Sequence, residues 1–330
     1  MILAIDIGGT KALVALYKQQ GSAWVVCKET KYQSSAYQSI TEILADFMEQ
    51  QSYTEISAIC VGAAGPVVEG VCHITNLSWS LSVSELQKAT KVQSVYLLND
   101  LEATAWGIRY LGEEKFLDIN PGAKPKPGNI AILSAGTGLG EAILIKNGEH
   151  VIAVATEGGH TDFAPQNEEQ DKLLVFLRAK YQGHVSYERL VSGEGLHNIY
   201  QYLKSLGTVS TNEQLEEKMI SSGPAAVIGT AGLTETDPIC VEAVRMFCQI
   251  YAAEAANLAL KCLPYAGVVL AGGMTPKLLP AIKQQYFMDA FLNKGRYREL
   301  LKNIPVRACM NEQVVLSGAL AYALYAGKVG

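Results

Sequence analysis

Apolar runs of strand length alternate with stretches of helical periodicity along this chain, and one arrangement of them occurs twice. The run Met1-Ile-Leu-Ala-Ile5 enters the turn Asp6-Ile-Gly-Gly-Thr10, and a second run, Ala12-Leu-Val-Ala-Leu16, leaves it. Further along, Asn129-Ile-Ala-Ile-Leu133 enters Ser134-Ala-Gly-Thr-Gly-Leu-Gly140, and Glu141-Ala-Ile-Leu-Ile145 leaves it. Both read as strand, glycine turn, strand. The first third is predicted to hold strands over 1–7, 11–17 and 23–31. A helix is predicted over 36–51, where Ile40, Ile43, Leu44, Phe47 and Met48 recur at helical spacing. Ile56 to Val61 reads as a buried strand ending in Gly62-Ala-Ala-Gly65-Pro66. Ser82-Val-Ser-Glu85 has the form of a capping box that opens a short helix. Ser94 to Leu98 is a further strand, with Asn99-Asp100 at its C-terminal end and a helix from there to Leu111.

The Pro/Gly-rich stretch 120–128 reads as a loop that opens a second unit. After the second hairpin, helices are predicted over 167–180, 194–205, 211–220 and 238–261. Asp237-Pro238 suits an N-cap with proline in the first helical position. Val268-Val-Leu-Ala-Gly-Gly273 reads as strand and glycine turn before another helix. The apolar-rich helix 312–326 is predicted to return and pack on the first unit. The expected division is a small α/β domain of residues 1–110 plus 302–330 and a large α/β domain of 111–301 with added helices.

The 330 residues suit two domains with a sizeable core, at 49% apolar and 18% charged. A net charge of -5 with no basic stretch argues against nucleic acid as a partner. No apolar run approaches the roughly 18–20 residues that span a bilayer. Met1 stands directly at a strand, which leaves no room for a signal peptide. The seven scattered cysteines form no Cys-x-x-Cys pair, as expected of reduced thiols in a cytoplasm.

Paired glycine turns point to a polyphosphate, because glycine lets backbone N–H groups approach phosphate oxygens. There is no P-loop, and Gly136-Thr-Gly-Leu-Gly140 runs into a strand rather than the helix of a dinucleotide fingerprint. Asp6 is suited either to holding Mg²⁺ through water beside phosphates or to capping its own turn. Asp100 is suited either to accepting a hydroxyl proton or to capping the following helix. Asn99 offers a donor and an acceptor to sugar hydroxyls. Glu157-Gly-Gly-His160 with Glu188 forms the acid and imidazole set of a polyol pocket. His160 and Asp162 are close in sequence, but neither His184 nor His197 completes a metal-ligand spacing. Trp79 can line a pocket wall or fill the core.

These residues, in this order, resemble the bacterial glucokinases of the hexokinase, Hsp70 and actin superfamily, in the group that lacks the zinc motif of the repressor-related (ROK) sugar kinases. The resemblance runs through Asp6-Ile-Gly-Gly-Thr10, Gly65-Pro66, Thr75-Asn76 with Trp79, Asn99-Asp100 and Gly136-Thr-Gly-Leu-Gly140. It continues through Glu157-Gly-Gly-His160-Thr-Asp-Phe-Ala-Pro165, Glu188-Arg189-Leu-Val-Ser-Gly193 and Leu270-Ala-Gly-Gly273. It implies a two-domain actin-like ATPase (ribonuclease H-like) fold whose domains close on glucose at a cleft, and a homodimer. Asp100 is implied as the base on the glucose 6-hydroxyl. Asn99, Glu157, His160 and Glu188 are implied at the other hydroxyls, with Gly65 and Asn76 beside the sugar. Gly8, Gly9, Thr10, Gly136, Thr137 and Gly138 are implied at the ATP phosphates, Asp6 at Mg²⁺, and Gly272 and Gly273 at the adenosine. Lys11 departs from the pattern, since many of these kinases carry Asn after Gly-Gly-Thr. Neither a cysteine-rich zinc loop nor an N-terminal helix-turn-helix is present. Other expectations kept open are a kinase for mannose, glucosamine or an N-acetyl sugar, a sugar sensor without catalysis, and an ATPase with actin-like or chaperone-like assembly.

Overall fold

Both glycine turns join antiparallel hairpins, and each hairpin continues into parallel strands to make a mixed sheet. The computed structural model describes residues 1–49, 55–74, 77–148, 150–208 and 213–329. The chain divides into two units, Met1–Gly112 with Gln313–Gly330, and Glu113–Glu312.

The first unit contains β1 (Ile2–Ile7), β2 (Lys11–Gln20), β3 (Ala23–Gln33), α1 (Ile40–Glu49) and β4 (Ala58–Ala63). It goes on through β5 (Val67–Val68), β6 (Val71–His73), β7 (Ser80–Ser82), α2 (Val83–Thr90), β8 (Ser94–Asn99) and α3 (Asp100–Tyr110). The main sheet has the order β3-β2-β1-β4-β8, and β1, β4 and β8 run parallel. Leu3, Ile5, Ile59, Val61 and Phe47 are buried at its core. Trp79 joins this core at 6% exposure, so it packs and does not line a pocket. Helix α1 starts at Ile40 rather than 36. The Ser39 hydroxyl accepts from Glu42 N, while the Glu42 carboxylate accepts from Gln38 N. This capping pattern, Ser39-x-x-Glu42, fixes the start. Residues 50 and 51 of the predicted helix lie outside the described residues. Ser82 caps α2 by accepting from Glu85 N, as its motif predicts.

The second unit contains β9 (Phe116–Asp118), β10 (Ile130–Ala135), β11 (Leu139–Asn147), β12 (His150–Thr156), α4 (Glu168–Tyr181), α5 (Gly193–Ser205), α6 (Glu213–Ser222) and α7 (Pro224–Leu233). It is completed by α8 (Pro238–Cys262), β13 (Gly267–Ala271), α9 (Met274–Lys277), α10 (Leu279–Ile282), α11 (Gln285–Leu292), α12 (Arg298–Lys302) and β14 (Val306–Cys309). The sheet order is β12-β11-β10-β13-β14-β9. Strand β14 pairs parallel to β13, so residues 302–312 belong to this unit and not, as the sequence expectation had it, to the first. Helix α8 is buried along most of its 25 residues. Its Asp237 cap accepts from Cys240 N, with Pro238 in the first turn. Helix α7 escapes sequence reading because Pro224-Ala-Ala-Val-Ile-Gly-Thr-Ala-Gly-Leu233 carries no polar face to mark a period. Among the described residues no helix is long and apolar enough to cross a membrane.

The closing helix α13 (Val314–Val329) packs against α3 in the first unit. Its approach is close. A Cβ on Gly318 would overlap the Ala103 carbonyl, one on Gly107 the Val314 carbonyl, and one on Gly62 would stand 2.6 Å from Val315 Cγ1. Glycine to alanine inside a helix ordinarily gains about 1 kcal/mol. Here Gly318→Ala is expected to cost roughly 2 kcal/mol or more through overpacking. The urea midpoint reads this, and an unchanged or higher midpoint would contradict the close approach.

Candidate active site

In the first unit, β1, β4 and β8 all end at one edge of the sheet. Asp6 pairs in register with Gly62, and Ala63 with Asn99. The turn between β1 and β2 is closed by Gly8 N donating to Lys11 O. Buried Ser34 ties it down, donating from its amide to Thr10 O and from its hydroxyl to Gly8 O. A Cβ on Gly8 would meet nothing nearer than the Lys11 carbonyl at 3.6 Å, so space is left over the turn. Thr10 and Lys11 are exposed.

Asn99, not Asp100, is the N-cap of α3. Its Oδ1 accepts from Leu101 N at 2.9 Å and Glu102 N at 3.4 Å. Its Nδ2 donates to Gly65 O at 3.0 Å, which leaves one amide hydrogen for a ligand. Asp100 is therefore the first helical residue, with Oδ1 2.9 Å from Leu101 N. A Cβ on Gly65 would overlap the His73 carbonyl, so this loop can approach β6 only as glycine. Thr75 and Asn76 lie outside the described residues.

Asp6 sits half-buried at the end of β1, and its pKa is pushed up to about 7. Burial is the main cause, the Asp100 charge adds to it, and Lys11 opposes it. Two carboxylates that interact in a partly desolvated setting are a donor set suited to a hard divalent cation.

In the second unit, the turn after β10 is held by Gly136 N donating to Gly138 O and by Gly193 N donating to Gly136 O. Gly136 and Gly273 both have open space where a side chain would stand. Gly272 has a φ of +81°, and a Cβ there would overlap the backbone of Ala135. The third glycine turn therefore lies directly against the second.

The polyol set is brought together. His160 Nε2 lies 3.9 Å from Glu157 Oε2, and its Nδ1 lies 4.0 Å from Glu188 Oε1. Glu157 and His160 are exposed, and the other oxygen of Glu188 accepts from Leu139 N at 3.1 Å. A side chain on Gly138 would overlap that same carboxylate oxygen. Glu188 thus links the glycine turn to the polyol group. Asp162 instead pairs with His184, Oδ1 to Nε2 at 3.0 Å. Among the described residues no group of three His, Cys, Asp or Glu is disposed to hold a metal.

Sequence reading missed Ser34, Tyr187, Glu254 and above all Glu141, which it counted within an apolar strand. The signal was present: an acid at the head of a run whose alternate residues are core.

The glucokinase family model matches residues 3–326 of the chain. A glucokinase of Nostoc punctiforme is 38% identical over 335 residues, covering 97% of each chain. The crystal structure of a glucokinase from an Antarctic psychrotroph superposes with a TM-score of 0.84 at 27% identity, covering 98% of each chain. A ROK-family glucokinase from Streptomyces griseus, in complex with glucose and AMPPNP, reaches 0.68 at 20% identity, covering 98% of this chain and 99% of its own. That likeness carries the fold alone, the actin-like ATPase fold of sugar kinases. The chain belongs to the glucokinase family.

Proposed function

We propose that this chain transfers the γ-phosphoryl group of ATP to O6 of glucose, giving glucose 6-phosphate and ADP. The observation that carries the reading is the gathering of Glu157, His160 and Glu188 around one point in the second unit. Such a set accepts and donates to vicinal hydroxyls, which an ATPase without a sugar substrate does not need. The AMPPNP bound to the Streptomyces griseus relative supports ATP as donor.

Asp100 takes the 6-hydroxyl proton while O6 bonds to the γ-phosphorus. The bond from that phosphorus to the β–γ bridging oxygen breaks, and its electrons leave with ADP. The transition state is loose, so orientation of O6 matters more than the strength of the base. Asn99 donates its remaining amide hydrogen to the sugar, beside Gly65. Glu157, His160 and Glu188 bind the other hydroxyls. Backbone donors of Gly8, Gly9 and Thr10 and of Gly136, Thr137 and Gly138 approach the phosphates, and Gly272 and Gly273 leave room for the adenosine. Asp6 would hold Mg²⁺, and the ion would neutralise phosphate charge when bound.

Asp100→Asn is expected to lower kcat about 10²–10⁴-fold, the usual worth of a general base, while glucose still binds by calorimetry. Near-normal turnover would refute the role. Across glucose, mannose, glucosamine and N-acetylglucosamine, kcat/KM for ADP release should be highest with glucose; a tenfold advantage for another sugar would reassign the substrate.

Asp6→Asn tests the cost of the buried carboxylate. Because its folded-state pKa is raised, the charge destabilises the fold as pH rises through about 7, and costs nothing at pH values below the unfolded pKa of 3.8. In magnesium-free buffer above pH 7 the variant is expected to be about 1–2 kcal/mol more stable, yet much less active when assayed with ATP and Mg²⁺. Equal melting temperatures at both ends of the pH range would rule this out.

A further inference from the structure

Beneath the polyol set lies a second pair of acids that the reaction does not use. Glu141 on β11 is 1% exposed and Glu254 on α8 is 0% exposed. Their carboxyl groups are close enough for each to act on the ionisation of the other. Two ionised carboxylates have only acceptors, so a hydrogen bond between them requires a proton. Glu141 Oε1 and Glu254 Oε1 are both buried without a hydrogen-bond partner, the atoms that a shared proton would satisfy. Burial raises the pKa of Glu254 too, but it has more partners that oppose the rise: its Oε2 accepts from Asn257 Nδ2 at 2.8 Å, the Tyr187 hydroxyl bonds it, and Lys261 Nζ lies 3.7 Å from Oε1. Glu141 is the proton holder. Burial first, then the Glu254 charge, raises its pKa to about 8.

The pair touches every segment of the polyol set. A Cβ on Gly158 would overlap Glu141 Oε2, so the loop of Glu157 and His160 rests directly on this carboxyl. Thr156 Oγ1 donates to Glu141 O and accepts from Gly158 N, both at 3.1 Å. On the other side, Asn257 Nδ2 donates to the Tyr187 hydroxyl at 2.9 Å, and Tyr187 precedes Glu188. Tyr187 N also donates to Thr161 O, closing the circuit back to the loop.

We infer that Glu141 and Glu254 form a proton-sharing positioning pair that sets the spacing of Glu157, His160 and Glu188 and so governs affinity for the sugar. The inference rests on the glucose-binding role proposed above for those three residues. Neither glutamate touches substrate. With both ionised, two like charges face each other in a desolvated space, and the β11 strand and α8 helix separate under the loop. The other titratable groups facing the pair are Lys261, Cys262 and Tyr251 of α8, Tyr187 of the turn, and Lys294, which donates to Asn257 Oδ1. The sign follows from a raised folded-state pKa: the ordered arrangement is complete at lower pH and is lost as pH rises through about 8.

Glu141→Gln separates this from a purely structural role, because its amide still donates to Glu254 but cannot lose a proton. KM for glucose in the wild-type protein is expected to rise roughly threefold or more from about pH 7 to about pH 9, while kcat at saturating glucose moves in parallel in both proteins. In Glu141→Gln the KM should stay level. The infrared difference spectrum of sugar-free wild type minus Glu141→Gln, in which the Asp6 carboxyl cancels, should show a protonated-carboxyl carbonyl band that fades over the same pH range. The inference falls if that band is absent at neutral pH, or if Glu141→Gln keeps the wild-type rise in KM. Because the infrared readout needs no turnover, failure to phosphorylate glucose would refute the substrate reading and leave the pair still decided.

Discussion

Register between parallel strands is the constraint on which the glycine turns of both units depend. Ile7 lies beside Ala63 and Ala63 beside Asn99, so the first glycine turn, the Gly65 loop and the start of α3 leave one sheet edge together. Ser134 lies beside Ala271 in the same way, which sets the Gly136 turn against Gly272 and Gly273. A slip of one residue would turn Asp6 to the opposite face and carry the turn away from Asn99. Loops at the carboxyl ends of parallel strands are where open α/β sheets bind ligands, and here the backbone ladder alone places them.

The elements most legible in the sequence are those whose signal is local. Both hairpins, the Ser82 cap and the Asp237-Pro238 start of α8 each have their cause within a few residues. The proximity of Glu157, His160 and Glu188 was also legible, because Glu157 and His160 fall within one turn and Glu188 belongs to a recognisable string. What was not legible depends on distant partners. Strands β9, β12 and β14 are short or half-exposed, and β14 finds its place only against β13. Asn99 was read as a sugar ligand, yet most of its hydrogen-bonding capacity goes to capping α3 and holding Gly65. The start of α1 was marked by Ser39 and Glu42 but was outweighed by the apolar period around it.

Buried acids show how the fold trades stability for chemistry. Asp6 and Glu141 each carry a raised pKa, with burial the leading cause, and each has a second carboxyl as the next. A core built for stability alone would place apolar residues at such positions. The cost is tolerated in two different ways. Asp6 is only half-buried and has the Lys11 charge to oppose its own, whereas Glu141 is closed off and, on the inference above, relies on a proton.

The discontinuity of the first unit bears on the order in which the molecule is made. Residues 113–312 are contiguous, and their sheet and helices are complete once residue 312 has left the ribosome. The first unit emerges earlier but lacks α13, whose Gly318 side must close against Ala103 and Gly107. Its helix α3 therefore waits with an uncovered apolar face throughout synthesis of the second unit. Domains generally fold from the N-terminus as the chain emerges. Here the first unit cannot be completed until α13 has been made, after the whole of the second, and a chain truncated before α13 lacks the element that completes it.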